Sequence, residues 1–182
     1  MTLIILMAGI DLSVGAILAL SGAVAAGLLK NGLFTVLGSI VAGVLVGSAA
    51  GLFNGVAITR FKLPPFVATL GMFSIARGLT MLWTGGFPVT GLGPTFGIIG
   101  TGLWLGIPVP IWITAVLVAV FVVLTKRTRF GRHVYAVGGN ERAALLTGLP
   151  VNRIKVAVYT LGGGLAGVAG LIVTSRLDSA QP

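Results

Sequence analysis

Polar residues are so sparse in this 182-residue chain that the few charges divide it into segments. Between them run Val, Leu, Ile, Ala and Gly. The runs lack the strict alternation of a half-buried strand and are long enough for helices. A helix rises about 1.5 Å per residue and needs about 20 apolar residues to cross a hydrocarbon core of about 30 Å. Five candidate spans result, at 1–29, 34–59, 63–84, 103–125 and 156–175. The second, fourth and fifth hold no charge, whereas the first holds Asp11 and the third Arg77. As one helix the first run would measure about 43 Å, too long unless it tilts or breaks. A break would fall among Gly9, Asp11, Ser13 and Gly15.

Glycine adds a second pattern. Gly43, Gly47, Gly51 and Gly55 recur every four residues, and Gly163 and Gly167, with Gly162, Ala166 and Gly170, repeat the device in the last span. Small residues at this spacing let helix backbones approach in lipid, so close bundle packing is the preferred reading and a moving interface the alternative.

Composition fixes the class. Hydrophobic residues are 56% of the chain and charged ones 8%, against about 25% charged in soluble domains. A water-soluble surface cannot be assembled from this set. The expected fold is all-α, a polytopic membrane helix bundle of about five transmembrane segments, lying in lipid. The net charge of +9 would suit nucleic acid, but its placement points elsewhere. Lys126, Arg127, Arg129, Arg132, Arg142, Arg153 and Lys155 crowd one loop, which marks that loop as cytoplasmic. Alternation then puts 85–102 outside and Arg60 with Lys62 inside; Lys30 and Arg176 fall outside, against the trend. Cysteine is absent, so there is no disulfide framework or thiolate metal site. No phosphate-binding loop occurs, and His133 lacks a carboxylate or serine partner at a recognisable spacing. No catalytic residue, metal or cofactor is expected.

The candidate substrate-pathway residues are the polar groups inside the spans: Asp11, Ser13, Asn54 and Arg77. Each has a plain structural alternative. Asp11 can cap a helix beginning at Leu12, Asn54 can bridge two helices, and Arg77 can snorkel to the outer surface. Trp83 joins Ser13 and Asn54 as a possible sugar contact. "GGNERAALLTGL", residues 138–149, is a short helix with its punctuation. Asn140 serves as N-cap, Glu141 suits the first turn, and Gly148 is the C′ stop before Pro150. A helix of about seven residues is unstable alone in water. It must dock through Ala144 and Leu145, either on its own bundle or in a groove of a partner.

"RAALLTG" resembles the EAA-type motif of ATP-binding-cassette importer permeases. "GIDLSVGAILALSGAVAA", "PPFVATLGMFSIARGLTMLWTGG", "RFGRHVYAVGGNERAALLTG" and "SRLDSAQP" resemble the ribose-type simple-sugar permeases, relatives of the branched-chain amino-acid permeases. The resemblance covers essentially the whole chain. It departs at Arg142, which stands where the general motif has glutamate, with Glu141 one place earlier. It implies a permease that forms the path for a ribose-like monosaccharide, works as a homodimer or paired permease, and sits as a multi-pass protein in the bacterial plasma (inner) membrane. A cytoplasmic ATP-binding subunit would dock on Gly139, Asn140, Glu141, Ala144 and Gly148 and would itself bind the ATP. An extracytoplasmic sugar-binding protein would deliver the solute. Residues 1–182 then form a single permease transmembrane domain, incomplete at both ends, with 126–155 as its coupling loop. The alternatives are a branched-chain amino-acid or other small-solute permease, a carrier working without an ATPase, and a non-transporting scaffold.

Overall fold

The first apolar run does break. In the computed structural model, which describes residues 1–182, α1 spans only Thr2–Leu6 and α2 begins at Val14 and runs to Lys30. Between them the backbone is non-helical, and Ala8 adopts a left-handed conformation with φ 55°. The other predicted spans appear as α3 (Val36–Arg60), α4 (Pro65–Thr84), α6 (Val109–Arg127) and α9 (Val151–Leu177). These four helices are long and apolar enough to cross a membrane, and α2 adds a shorter apolar helix of 17 residues. The expected all-α polytopic bundle is what forms.

Local sequence sets several ends. Pro64 and Pro65 open α4, with Pro65 at its first turn, where a missing N–H costs nothing. The Thr35 hydroxyl accepts from Gly38 N and caps α3. α6 starts six residues later than expected, because Leu103–Trp104 (β2) and Ile107–Pro108 (β3) form a small antiparallel hairpin across Gly106. α9 starts five residues earlier than expected and carries Arg153 and Lys155 on its first turns.

Two helices lie where the sequence analysis placed only loop. α5 (Pro94–Thr101) packs on the far end of α9. Ser175 Oγ accepts from Gly100 N at 2.8 Å and donates to Phe96 O at 2.6 Å. Beside it Val89–Thr90 (β1) pairs with Ser179–Ala180 (β4), and Asp178 Oδ1 accepts from Leu92 N. The second addition, α7 (Arg129–Gly139), lies at the opposite, basic end.

The centre of the bundle is the antiparallel pair of α3 and α9, joined by α2 and α4. Gly51 lies on the Tyr159 carbonyl, Gly47 and Gly163 lie on each other's carbonyls, and a Cβ at Gly55 would stand 2.7 Å from Val156 Cα. The fourfold glycine spacing therefore marks a face where backbone meets backbone, as the packing reading expects. α2 joins through Gly22, under Thr174, and through Leu18, whose carbonyl lies on Gly170. α6 has no buried residue; it touches α5, α7 and β3. An apolar cleft of about 330 Å³ separates it from α1 and α9.

Candidate functional site

Three of the four predicted pathway residues meet at the break. Asp11 Oδ1 accepts from Ser13 N at 2.8 Å and from Ser13 Oγ at 2.6 Å. Asn54, from α3, donates through Nδ2 to Ser13 Oγ at 2.9 Å. Two residues missing from the candidate set complete the knot. Thr69 Oγ1 of α4 accepts from Leu12 N at 3.2 Å and donates to Pro65 O at 2.8 Å. Tyr159 of α9 donates to Ile10 O at 3.4 Å. Three helices, α3, α4 and α9, thus close on one non-helical segment. Asp11 is only 3% exposed, and Ser13, Asn54, Thr69 and Tyr159 are buried.

The knot explains why α2 starts where it does. Asp11 is not the cap of a helix beginning at Leu12: α2 begins at Val14, with Ser13 in the N-cap position and no side-chain cap. Leu12 N donates to Thr69 and Ser13 N to Asp11, so neither donates to the carbonyl four residues earlier and α1 does not run on into α2 as one helix. The knot keeps spare acceptors. Asp11 Oδ2 and Asn54 Oδ1 are buried and accept no hydrogen bond. Its depth follows from the rise of the helices. Thr69 stands about 6 Å from the basic-end start of α4 and Asn54 about 9 Å from the end of α3.

Arg77 lies elsewhere. It occupies the exposed side of α4 beside Ser74 and has neither an ion pair nor a hydrogen bond within the chain. It is seven residues from the outer end of α4, about 10 Å away. Its Cα–Cβ bond tilts toward the helix start, which works against snorkelling outward. Trp83 is tied to the bundle instead, donating from Nε1 to Ala23 O at 3.1 Å over Gly27.

At the basic end, α7 and α8 (Glu141–Leu146) form a bent arm between α6 and α9. Asn140 Oδ1 caps α8 by accepting from Ala143 N at 3.0 Å, and Gly148 follows with φ 80°. Both punctuation residues stand as expected. The apolar face does not act as one unit. Ala144, 4% exposed, is buried against the bundle, whereas Leu145 and Leu146 point away, Leu146 at 90% exposure. Ala144 is therefore an anchor to the chain's own core rather than part of a free docking surface. Phe130, Val134 and Val137 hold α7 on the same core. Their spacing of four and three residues is the helical signal that reveals α7 in the sequence.

Glu141 pairs with Lys155 at 2.7 Å. The pair is partly exposed, and such pairs contribute about 0–1 kcal/mol. Glu141→Gln is expected to leave the thermal midpoint of the detergent-solubilised protein almost unmoved. A fall of many degrees would mean that the ion pair, rather than the Asn140 cap and Ala144, holds the arm.

A broken helix knotted inside a bundle of apolar spans, with a pinned helical arm at the basic end, defines a multi-pass helical membrane protein. The particular family follows from comparison with known proteins. The family model described as "Branched-chain amino acid transport system / permease component" matches residues 1–182, and the chain belongs to that family. It is 52% identical over 185 residues to the ribose import permease protein RbsC of Bacillus subtilis and 46% identical over 189 residues to that of Escherichia coli K12. It is 43% identical to the L-arabinose ABC transporter permease protein AraH of Azospirillum brasilense. All of this chain is covered in each, but 57%, 58% and 53% of the respective relatives. The chain thus spans a little over half their length. No solved structure matches significantly.

Proposed function

We propose that this chain is the path-forming part of the permease subunit of an ATP-driven importer for a ribose-like monosaccharide, in the bacterial plasma membrane. The single observation that carries the proposal is α8. It is capped, stopped and anchored at Ala144, yet turns Leu145 and Leu146 outward at the most basic end of the chain. Full burial of a leucine is worth about 1.5–3 kcal/mol, so two fixed outward leucines favour a partner. A cytoplasmic ATP-binding subunit is that partner in this reading, contacting α8 and its flanks at Gly139, Asn140, Glu141 and Gly148. Ala144 sets the height of the helix from behind. The subunit supplies the ATP chemistry, and the permease moves by rigid-body rearrangement.

Asp11, Ser13 and Asn54 then form the inner closure of the path, where a sugar hydroxyl would meet the spare acceptors when the knot opens. Arg77 and Ser74 face away from this chain, toward the space that a second permease copy would enclose. An extracytoplasmic sugar-binding protein would meet the outer surface around α5. The ribose assignment rests on the printed names of the relatives; the family description favours branched-chain amino acids as the second reading.

Purification of the full-length parent from membranes, with identification of the bound ATPase and uptake of radiolabelled ribose and leucine, tests the proposal. Ribose uptake dependent on ATP supports it; leucine uptake alone selects the second reading. Loss of residues 138–149 should abolish uptake, whereas an ATPase-independent carrier would keep exchanging solute. Gly148→Pro is expected to abolish both uptake and ATPase association. Proline cannot adopt φ 80° and removes the N–H that bonds Leu145 O. Leu146→Glu should cut ATPase copurification while the amount of folded permease stays at the parental level. Normal copurification in both variants contradicts the assignment of α8.

A further inference from the structure

The arm and the polar knot are joined by a second feature, α1. α1 shares one hydrophobic core with the arm, through Leu3, Ile4 and the C-cap residue Met7 against Val134, Val137 and Ala144. At one point the join is backbone on backbone. Gly138, the penultimate residue of α7, lies on the Leu6 carbonyl, and a Cβ there would also stand 2.9 Å from Leu6 C and 3.5 Å from Met7 Cα. The chain leaves this contact through Ala8, in its left-handed turn, and Gly9. A Cβ at Gly9 would stand 2.7 Å from the Tyr159 hydroxyl. Asp11 and Ser13 follow directly.

The two neighbours of the arm differ in freedom. α9 is a 27-residue helix locked to α3 by backbone contacts at three levels. α1 ends at Leu6 in a non-helical segment held by individual hydrogen bonds rather than by repeated backbone contacts. A displacement of the arm therefore moves α1 more readily than α9.

We infer that Gly138 is a positioning residue for transport. Its bare α-carbon sets the spacing between the arm and α1, and through α1 it sets whether the Asp11–Ser13–Asn54 knot is closed. The inference rests on the reading that an ATPase grips α8, and it names the route by which that grip reaches the path. Any side chain at position 138 must push α1 away, roughly 1 Å or more for a methyl group to reach ordinary contact distance. The arm would still be gripped, but its movement would reach a displaced α1.

The test uses the full-length permease with its ATPase and binding protein in liposomes, comparing the parent with Gly138→Ala and Gly138→Leu. Three quantities are read: the amount of assembled complex, ATP hydrolysed, and sugar imported per ATP. The complex should assemble at the parental level and hydrolysis should continue near the parental rate. Import per ATP should fall by about tenfold or more for leucine, with alanine intermediate. An unchanged ratio of import to hydrolysis in both variants overturns the inference, whether the two rates stay high or fall together. So does failure of the variant complexes to assemble, since Gly138 would then serve assembly alone. Absence of any ATPase with the parent overturns the underlying reading instead.

Discussion

A leucine at position 51 is expected to remove the folded protein from the membrane. In isolation the change favours the helix, because glycine costs about 1 kcal/mol relative to good helix formers in a helix interior. The contact decides the sign. A Cβ at Gly51 would overlap the Tyr159 carbonyl and stand 3.1 Å from Gly163 Cα. These are backbone atoms of a helix and cannot rotate aside as a side-chain tip can. Overpacking costs about 1–3 kcal/mol where side chains can yield, and here α3 and α9 must part along their length. Gly51→Leu should leave little monodisperse protein after detergent extraction. Gly71→Leu, on the open side of α4 with nothing within 4 Å, should extract at the parental level. Equal recovery of the two variants would show that the glycine face is not a close contact.

The second large effect is at Asp11, and it should appear in transport more than in stability. Asp11→Ala removes the acceptor of Ser13 N and Ser13 Oγ, and an orphaned buried donor costs about 1–3 kcal/mol. It also removes an ionisable group whose placement in a membrane costs about 2.5–3.5 kcal/mol on insertion scales. The two effects oppose each other at similar size, so the folded amount should change little. The geometry of the knot has no such offset. Without Asp11, nothing fixes Ser13 for Asn54, and the α1–α2 break loses its definition. Uptake by the full-length transporter should fall by at least about tenfold. Asp11→Asn, which keeps one acceptor oxygen, should retain a measurable part. Parental uptake in Asp11→Ala would remove the knot from the path.

What the sequence made legible follows from how each feature is encoded. The spans were readable because apolar length alone specifies them. The break was readable because residues 1–29 exceed one membrane thickness. Asn140 and Gly148 were readable because caps depend on a single residue's chemistry. Thr69 and Tyr159 were not, since they join the knot only through the fold, 57 and 149 residues from their partners. The side taken by Arg77 was not legible for another reason. A helix that is apolar on nearly every side does not announce which face turns inward, so the charge on α4 could not be assigned to bundle or exterior. In α8, six residues are too few for periodicity to separate Ala144, which anchors, from Leu145 and Leu146, which project.

The account depends on where α8 lies and what covers it. These 182 residues hold no cysteine, so a thiol placed at Leu146, in a full-length parent freed of any others, is a clean probe. In intact cells a membrane-impermeant maleimide should leave it unlabelled. After the membrane is opened it should react, and the assembled ATPase should shield it. Labelling from outside intact cells, or labelling after opening that the ATPase leaves unchanged, would contradict the account.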